Sequence, residues 1–261
     1  MKKPKGEYSI QTVINALRLL EEFQDAEELG VTDLSRRLDL HKNNVFRLLA
    51  TLEQRGYVDQ SPETERYRLG VRTLELGRAF TRSRSLLQRA RPILRELADA
   101  LGESAHLGAL RGFEVVHLDG AAPDRLVLTR VRVGWRLPAH CTALGKVLLG
   151  CSPASLREAF DRTLATGGLE GRTPGTIVDR DKFFEHLRTV AVQGFAIDAE
   201  ECEEGLCCVA APVYDGDRNL VAALSVSGPA FRLDEDRLLR EAAPKVTVAA
   251  DRLSRDLGYA V

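Results

Sequence analysis

The spacing of apolar residues changes period along this chain, and that change constrains its architecture more than any other feature. Up to Leu101 apolar positions recur every three or four residues, the period of helices that bury one face. Beyond Leu101 they alternate, as in strands with one buried face, and helical patterns return between the strands. Such a chain builds a helical module followed by a mixed one, and its 261 residues suffice for two cores.

In the first module, Ile10, Val13, Ile14, Leu17, Leu20 and Phe23 predict a helix with Ser9 as its N-cap. Thr32 is placed to cap a short second helix that buries Leu34 and Leu38. A third helix, from Lys42 to about Arg55, turns Val45, Leu48, Leu49 and Leu52 inward. It leaves Lys42, Asn43, Asn44, Arg47 and Thr51 outside, and Gly56 stops it. Residues 57–60 and 67–69, separated by the polar turn SPETER, predict a hairpin. Three helices and a hairpin make a winged helix-turn-helix.

Charge points the same way. The chain is nearly neutral at −1, yet residues 36–89 hold twelve Arg or Lys against six acids, leaving the remainder at −7. A basic segment in an acidic chain is a candidate polyanion surface. At the N-terminal end of the third helix, the part that enters a major groove, Asn43 and Asn44 carry the donor-acceptor pair that reads adenine. Lys42 and Arg47 reach guanine or phosphate. Arg66 in the hairpin is placed for a phosphate or the minor groove, and Thr32 for a phosphate at a helix start. The competing reading is a small helical domain for protein contacts.

After Leu101, residues 105–110, 113–118 and 126–131 read as antiparallel strands, followed by helices at 143–149, 155–164 and 180–193. Two more strands, 206–214 and 220–227, flank the turn DGDRN, and a last helix runs from Asp234 to Leu257 with Pro244 inside it. The fold class is therefore α+β, with the second module an antiparallel-sheet domain of the GAF or PAS kind. Ser225 and Ser227 stand two apart in an apolar strand and share one face, so both hydroxyls can meet one ligand group or simply bond the backbone. The adjacent Cys207 and Cys208 point to opposite faces.

These segments carry a resemblance to the IclR family of bacterial transcription regulators. It rests on SIQTVINALRLLEEF, VTDLSRRLDLHKNNVFRLLATLEQRGYV and RYRLGVRTLELG in the first module, and on LPAHCTALGKVLLG, GFAIDAEECEEGLCCVAAPVYD and VAALSVSGP in the second. The family usually has a Ser-Thr pair where this chain has Asn43 and Asn44, and often a Gly at the wing tip where it has Glu65. The resemblance implies a DNA-binding domain over 1–71 with its helix-turn-helix at about 31–50, a linker helix over 72–85, and an effector-binding domain over 86–261. It further implies a homodimer, with pairing of dimers left open, on a double-stranded operator. The implied effector is a small organic acid, aromatic or acyl-type, held by Ala143, Leu144, Asp198, Cys208, Ser225 and Ser227.

Other functions lack their residues. No GxSxG elbow and no recognisable Ser-His-Asp set mark an enzyme, and around Gly145-Lys146 the Walker positions are held by His140 and Val147. Five cysteines without a CxxC pair, and histidines without ligand spacing, predict neither a metal nor another cofactor. The start MKKPKGEYSIQ lacks an apolar stretch, so a cytoplasmic protein is expected. The alternative regulatory signal is redox chemistry at Cys207, Cys208 or Cys202, although the surrounding Glu200, Glu201, Glu203 and Glu204 raise thiol pKa values.

Overall fold

The computed structural model describes residues 9–82, 85–124, 131 and 133–260, and the chain divides into two compact units, 1–83 and 84–261. Unit 1 contains α1 (Gln11–Glu21), α2 (Val31–Leu38), α3 (Lys42–Gln54), the strands β1 (Val58–Gln60) and β2 (Tyr67–Leu69), and α4 (Val71–Arg82). Its core is Leu19, Phe23, Leu34, Leu38, Val45, Leu48, Leu49, Val58 and Tyr67, closed by the β1–β2 hairpin; α3 buries the expected Val45, Leu48 and Leu49, whereas α1 buries Leu19 and leaves Ile10, Val13 and Leu17 of its apolar set exposed.

Two expected caps are corrected. α1 starts at Gln11 with Ile10 in the cap position and no side-chain cap bond, so Ser9 lies one residue outside. Gly30, not Thr32, caps α2, because the Asp33 carboxylate three residues on accepts the Gly30 N–H at 3.4 Å. That return bond starts the helix earlier and leaves Thr32 in its first turn. Gly56 does end α3, with φ +73°.

Unit 2 begins with α5 (Ser85–Leu101), which holds Pro92 within it. Thus the expected helical run over 72–101 is two helices, α4 and α5, with 83–84 outside the described residues. Among the described residues six antiparallel strands follow: β3 (Ser104–Arg111), β4 (Glu114–Ala121), β5 (Arg136–Pro138), β6 (Ala196–Ala199), β7 (Leu206–Tyr214) and β8 (Leu220–Pro229), in the order β5-β4-β3-β8-β7-β6. The expected strand over 126–131 falls almost wholly outside the described residues, while the short β5 and β6 went unpredicted. Between β5 and β6 lie α6 (Ala143–Gly150), α7 (Ala154–Gly167) and α8 (Arg180–Gln193).

The expected final helix is broken. Asp234 caps a single turn, α9 (Glu235–Arg237), a π-turn spans Leu238–Ala242, and α10 (Ala243–Asp256) starts only there, with Pro244 near its start. Proline has no N–H to donate backward, so the helix is re-initiated at the position where proline is tolerated.

Strand alternation gives the sheet two different faces. Leu107, Cys207, Val209, Ala211, Leu224 and Val226 pack with α5 and α10, whereas Cys208, Ala210 and Ala223 pack with α6 and α8. Cys207 and Cys208 therefore do face opposite ways. α6 approaches closely because Gly145 has no side chain: a Cβ there would lie 2.2 Å from the Ala139 carbonyl oxygen.

Candidate functional sites

In unit 1, α3 presents Lys42, Asn43, Asn44, Arg47 and Thr51 to solvent while Val45, Leu48 and Leu49 hold it in the core. The His41 ring caps it by accepting the Asn43 N–H at 3.4 Å, which leaves the Asn43 side chain outside the cap bond. Asn44 and Arg47, with Thr12 and Asn15, border a hollow between α3 and α1. Thr32 is exposed in the first turn of α2, apart from the α3 set in the sequence. Arg66 is held differently from the expected free wing cation. Its guanidinium donates to the Asp33 carboxylate at 2.8 Å and to the Glu28 carbonyl at 3.2 Å, so it ties the hairpin to α2. At the wing, Glu65 has φ +55°, a left-handed conformation that glycine adopts without strain.

In unit 2, a cavity of about 340 Å³ opens on the α6 face of the sheet, and Ala143, Leu144, Asp198, Cys208, Ser225 and Ser227 all line it. Strand register brings them together. Asp198 on β6 pairs with Cys208 on β7, which pairs with Ser227 on β8; two rungs along, Ala210 pairs with Ser225, which pairs with His106 on β3. Five polar side chains from four strands thus face one space.

The start of α6 closes the cavity. The Thr142 hydroxyl caps the helix by accepting the Gly145 N–H at 3.2 Å and donates to the Pro138 carbonyl at 3.0 Å. That bond leaves the N–H groups of Ala143 and Leu144 in a first turn that has no carbonyl for them, at the positive end of the helix dipole. Asp198 is almost fully buried, and one carboxylate oxygen accepts the N–H groups of Glu201 at 2.8 Å and Cys202 at 3.3 Å. Burial nevertheless dominates and pushes its pKa up to about 7. Beneath it, the wholly buried Lys146 of α6 pairs with Glu201. The half-buried His186 of α8 is pushed down to about 4 by burial and by Lys146.

His106, His117, Thr142, Arg172 and Cys202 also line the cavity and went unassigned to it from sequence. Thr142 carried a signal, a hydroxyl residue just before an apolar helical run. His106 alternates with the buried Ala105 and Leu107, and its ring sits edge-on to His117 at 5.3 Å. Arg172 lies in irregular chain and donates to the Cys202 carbonyl at 3.2 Å, which no local pattern foretells. Burial pushes the Cys207 thiol up to about 11 and raises the Cys208 thiol well above its ordinary value, opposite to what a reactive thiolate requires. Among the described residues, no three His, Cys, Asp or Glu are arranged to hold a metal ion, and no helix is long and apolar enough to cross a membrane.

The IclR helix-turn-helix domain matches residues 12–62, and the bacterial transcriptional regulator IclR C-terminal domain matches residues 78–255. The chain is 39% identical over 254 residues to the HTH-type transcriptional regulator XynR of Escherichia coli (strain K12), covering 96% of this chain and 98% of that one. It is 34% identical over 251 residues to the regulator KdgR of the same strain, covering 96% and 94%. Among solved structures, the IclR transcriptional regulator of Alicyclobacillus acidocaldarius is similar with a TM-score of 0.84 at 25% identity, covering 96% of this chain and 98% of that chain. All three are regulators of transcription rather than enzymes.

Proposed function

This chain belongs to the IclR family of bacterial DNA-binding transcriptional regulators, and from that premise we propose that it binds a palindromic operator as a homodimer whose affinity is set by a small organic acid in the unit 2 cavity. The observation that carries the effector class is the convergence of the α6 start with Asp198, Cys208, Ser225 and Ser227 around about 340 Å³. The free N–H groups at Ala143 and Leu144 suit a carboxylate. The two serine hydroxyls supply further bonds to it or to a neighbouring oxygen. Leu137, Leu144 and Leu206 offer apolar wall for a short carbon body. A coenzyme A thioester would have to leave its nucleotide outside a space of that size. Both repression and activation are compatible with this arrangement.

On the DNA side, Asn43 and Asn44 are assigned to adenine edges and Lys42 and Arg47 to guanine or phosphate, with Thr32 on the flanking backbone. Arg66 supports the wing and reaches phosphate only by giving up Asp33. The dimer is supported by apolar side chains left in solvent: Ile10, Val13 and Leu17 at and along α1, and Val71 and Leu74 on α4. Such a regulator works beside the chromosome, in the cytoplasm.

The test is a thermal-shift screen of purified protein against small oxo-acids, aromatic acids and their thioesters. A saturable rise in Tm that disappears in Ser225→Ala/Ser227→Ala supports the pocket reading; a flat panel removes organic acids as the effector class.

A further inference from the structure

Phe46 stands on α3, within the stretch that carries Asn43 and Arg47, and 56% of it is exposed. It belongs neither to the core of unit 1 nor to the partly buried residues packed around that core. At about 100° and 1.5 Å per residue, Phe46 lies about 60° around the helix and about 4.5 Å along it from Asn43. Ala50, one turn further on, is exposed and too small to cover the ring. Asn44, Arg47 and Thr51 border the hollow beside α1, so Phe46 forms the other edge of the outward face. A single exposed apolar side chain is ordinary on a protein surface. What sets this one apart is its place among Lys42, Asn43 and Arg47.

We propose that Phe46 is a specificity-determining residue that reads thymine, packing its ring on the C5-methyl group at the base pair beside the one whose adenine meets Asn43. The proposal rests on the reading of α3 as the helix that enters the major groove. A phenyl ring has neither donor nor acceptor, so it gains nothing from a phosphate or from a hydrogen bond to a base edge. The apolar group that the bases present in the major groove is the thymine methyl, and phenylalanine is among the side chains that pack on it. Spacing agrees, because about 4.5 Å along the helix is close to the roughly 3.4 Å step between stacked bases. With two asparagines for adenine and a ring for thymine, α3 is equipped for a run of A·T pairs.

The other use of an exposed ring is a contact with protein, and the two uses differ in what they sense. A ring against protein is indifferent to the methyl groups of the DNA, whereas a ring on thymine depends on one of them. Burying one such group is worth about fourfold in affinity. Alanine is a better helix former than phenylalanine, and Phe46 supports no core residue, so Phe46→Ala keeps α3 folded.

The experiment selects a binding duplex for the full-length protein from a random-sequence pool, then replaces its thymines one at a time with deoxyuridine, which removes only the methyl group. Anisotropy titrations give the affinities. The wild type should lose about fourfold at a thymine beside the adenine that Asn43→Ala ceases to prefer. Phe46→Ala should bind the thymine duplex as weakly as the wild type binds the uracil one, and should not distinguish the two. Wild-type binding that ignores every uracil would overturn the proposal. So would a Phe46→Ala loss that leaves sensitivity to uracil intact, the mark of a contact with protein. A pool that yields no enriched sequence would instead remove the DNA-binding reading, and this proposal with it.

Discussion

The two candidate sites are built in opposite ways. The α3 face puts Lys42, Asn43, Asn44 and Arg47 in solvent on a single helix whose other side is core. The unit 2 cavity gathers Asp198, Ser225, Ser227 and Cys208, all nearly buried, from three strands. The first can change its chemistry without changing its fold, because no packing depends on those side chains. In the second, recognition and stability share the same atoms. A new operator is therefore reachable by a few surface substitutions, whereas a new effector must be accommodated by core residues.

The largest expected effect tests the buried side of this contrast. Lys146→Met strands the Glu201 carboxylate and should cost about 3–5 kcal/mol, read by denaturant unfolding. Adding Glu201→Gln should recover most of it. A loss under about 1 kcal/mol for the single change would mean that the pair is not desolvated.

The pH profile comes next. Asp198 titrates near 7 when folded against 3.8 in the open chain. Between those values the native state keeps a proton that the unfolded chain has released. Stability should therefore fall as pH rises through this window, by at most about 1.4 kcal/mol per unit, and level off above it. His186, depressed from 6.5 to about 4, contributes the opposite slope between those values. The difference between wild type and Asp198→Asn isolates the carboxylate, and parallel profiles would contradict its burial.

On the exposed side, Asn43→Ala or Asn44→Ala should forfeit about 1–3 kcal/mol of discrimination at one base pair. Stability should move by less than about 0.5 kcal/mol. Arg47→Ala should instead weaken all sequences alike and reduce the salt slope by about one. Binding titrations on operator variants at several salt concentrations separate the two; a uniform loss for both asparagines would remove them from base reading. The smallest effect is at the wing, where Glu65→Gly should stabilise by about 1 kcal/mol, seen as a higher Tm in the melting of unit 1.

Unit 1 was largely legible in advance because its signals are local. The inward spacing Val45, Leu48, Leu49 and the stop at Gly56 need only neighbours within two turns. In unit 2, α8 and β7 have the predicted bounds, since long amphipathic or alternating runs carry their own period. β5 and β6, at three and four residues, are too short to show a period and exist because a neighbouring strand pairs with them. Asp198, Cys208, Ser225 and Ser227 were named through family resemblance; His106 and Arg172 were not, because their membership in the cavity depends on residues far along the chain.

The sequence by itself determined the helix-turn-helix, the sheet-forming second half and the outward asparagines, because propensity and hydrophobic period act over a few residues. Only the tertiary structure decided that Arg66 bonds Asp33 and that Asp198 holds its proton near neutrality. Charge pairing and desolvation depend on distance through space and on excluded water, and neither is written in the order of residues.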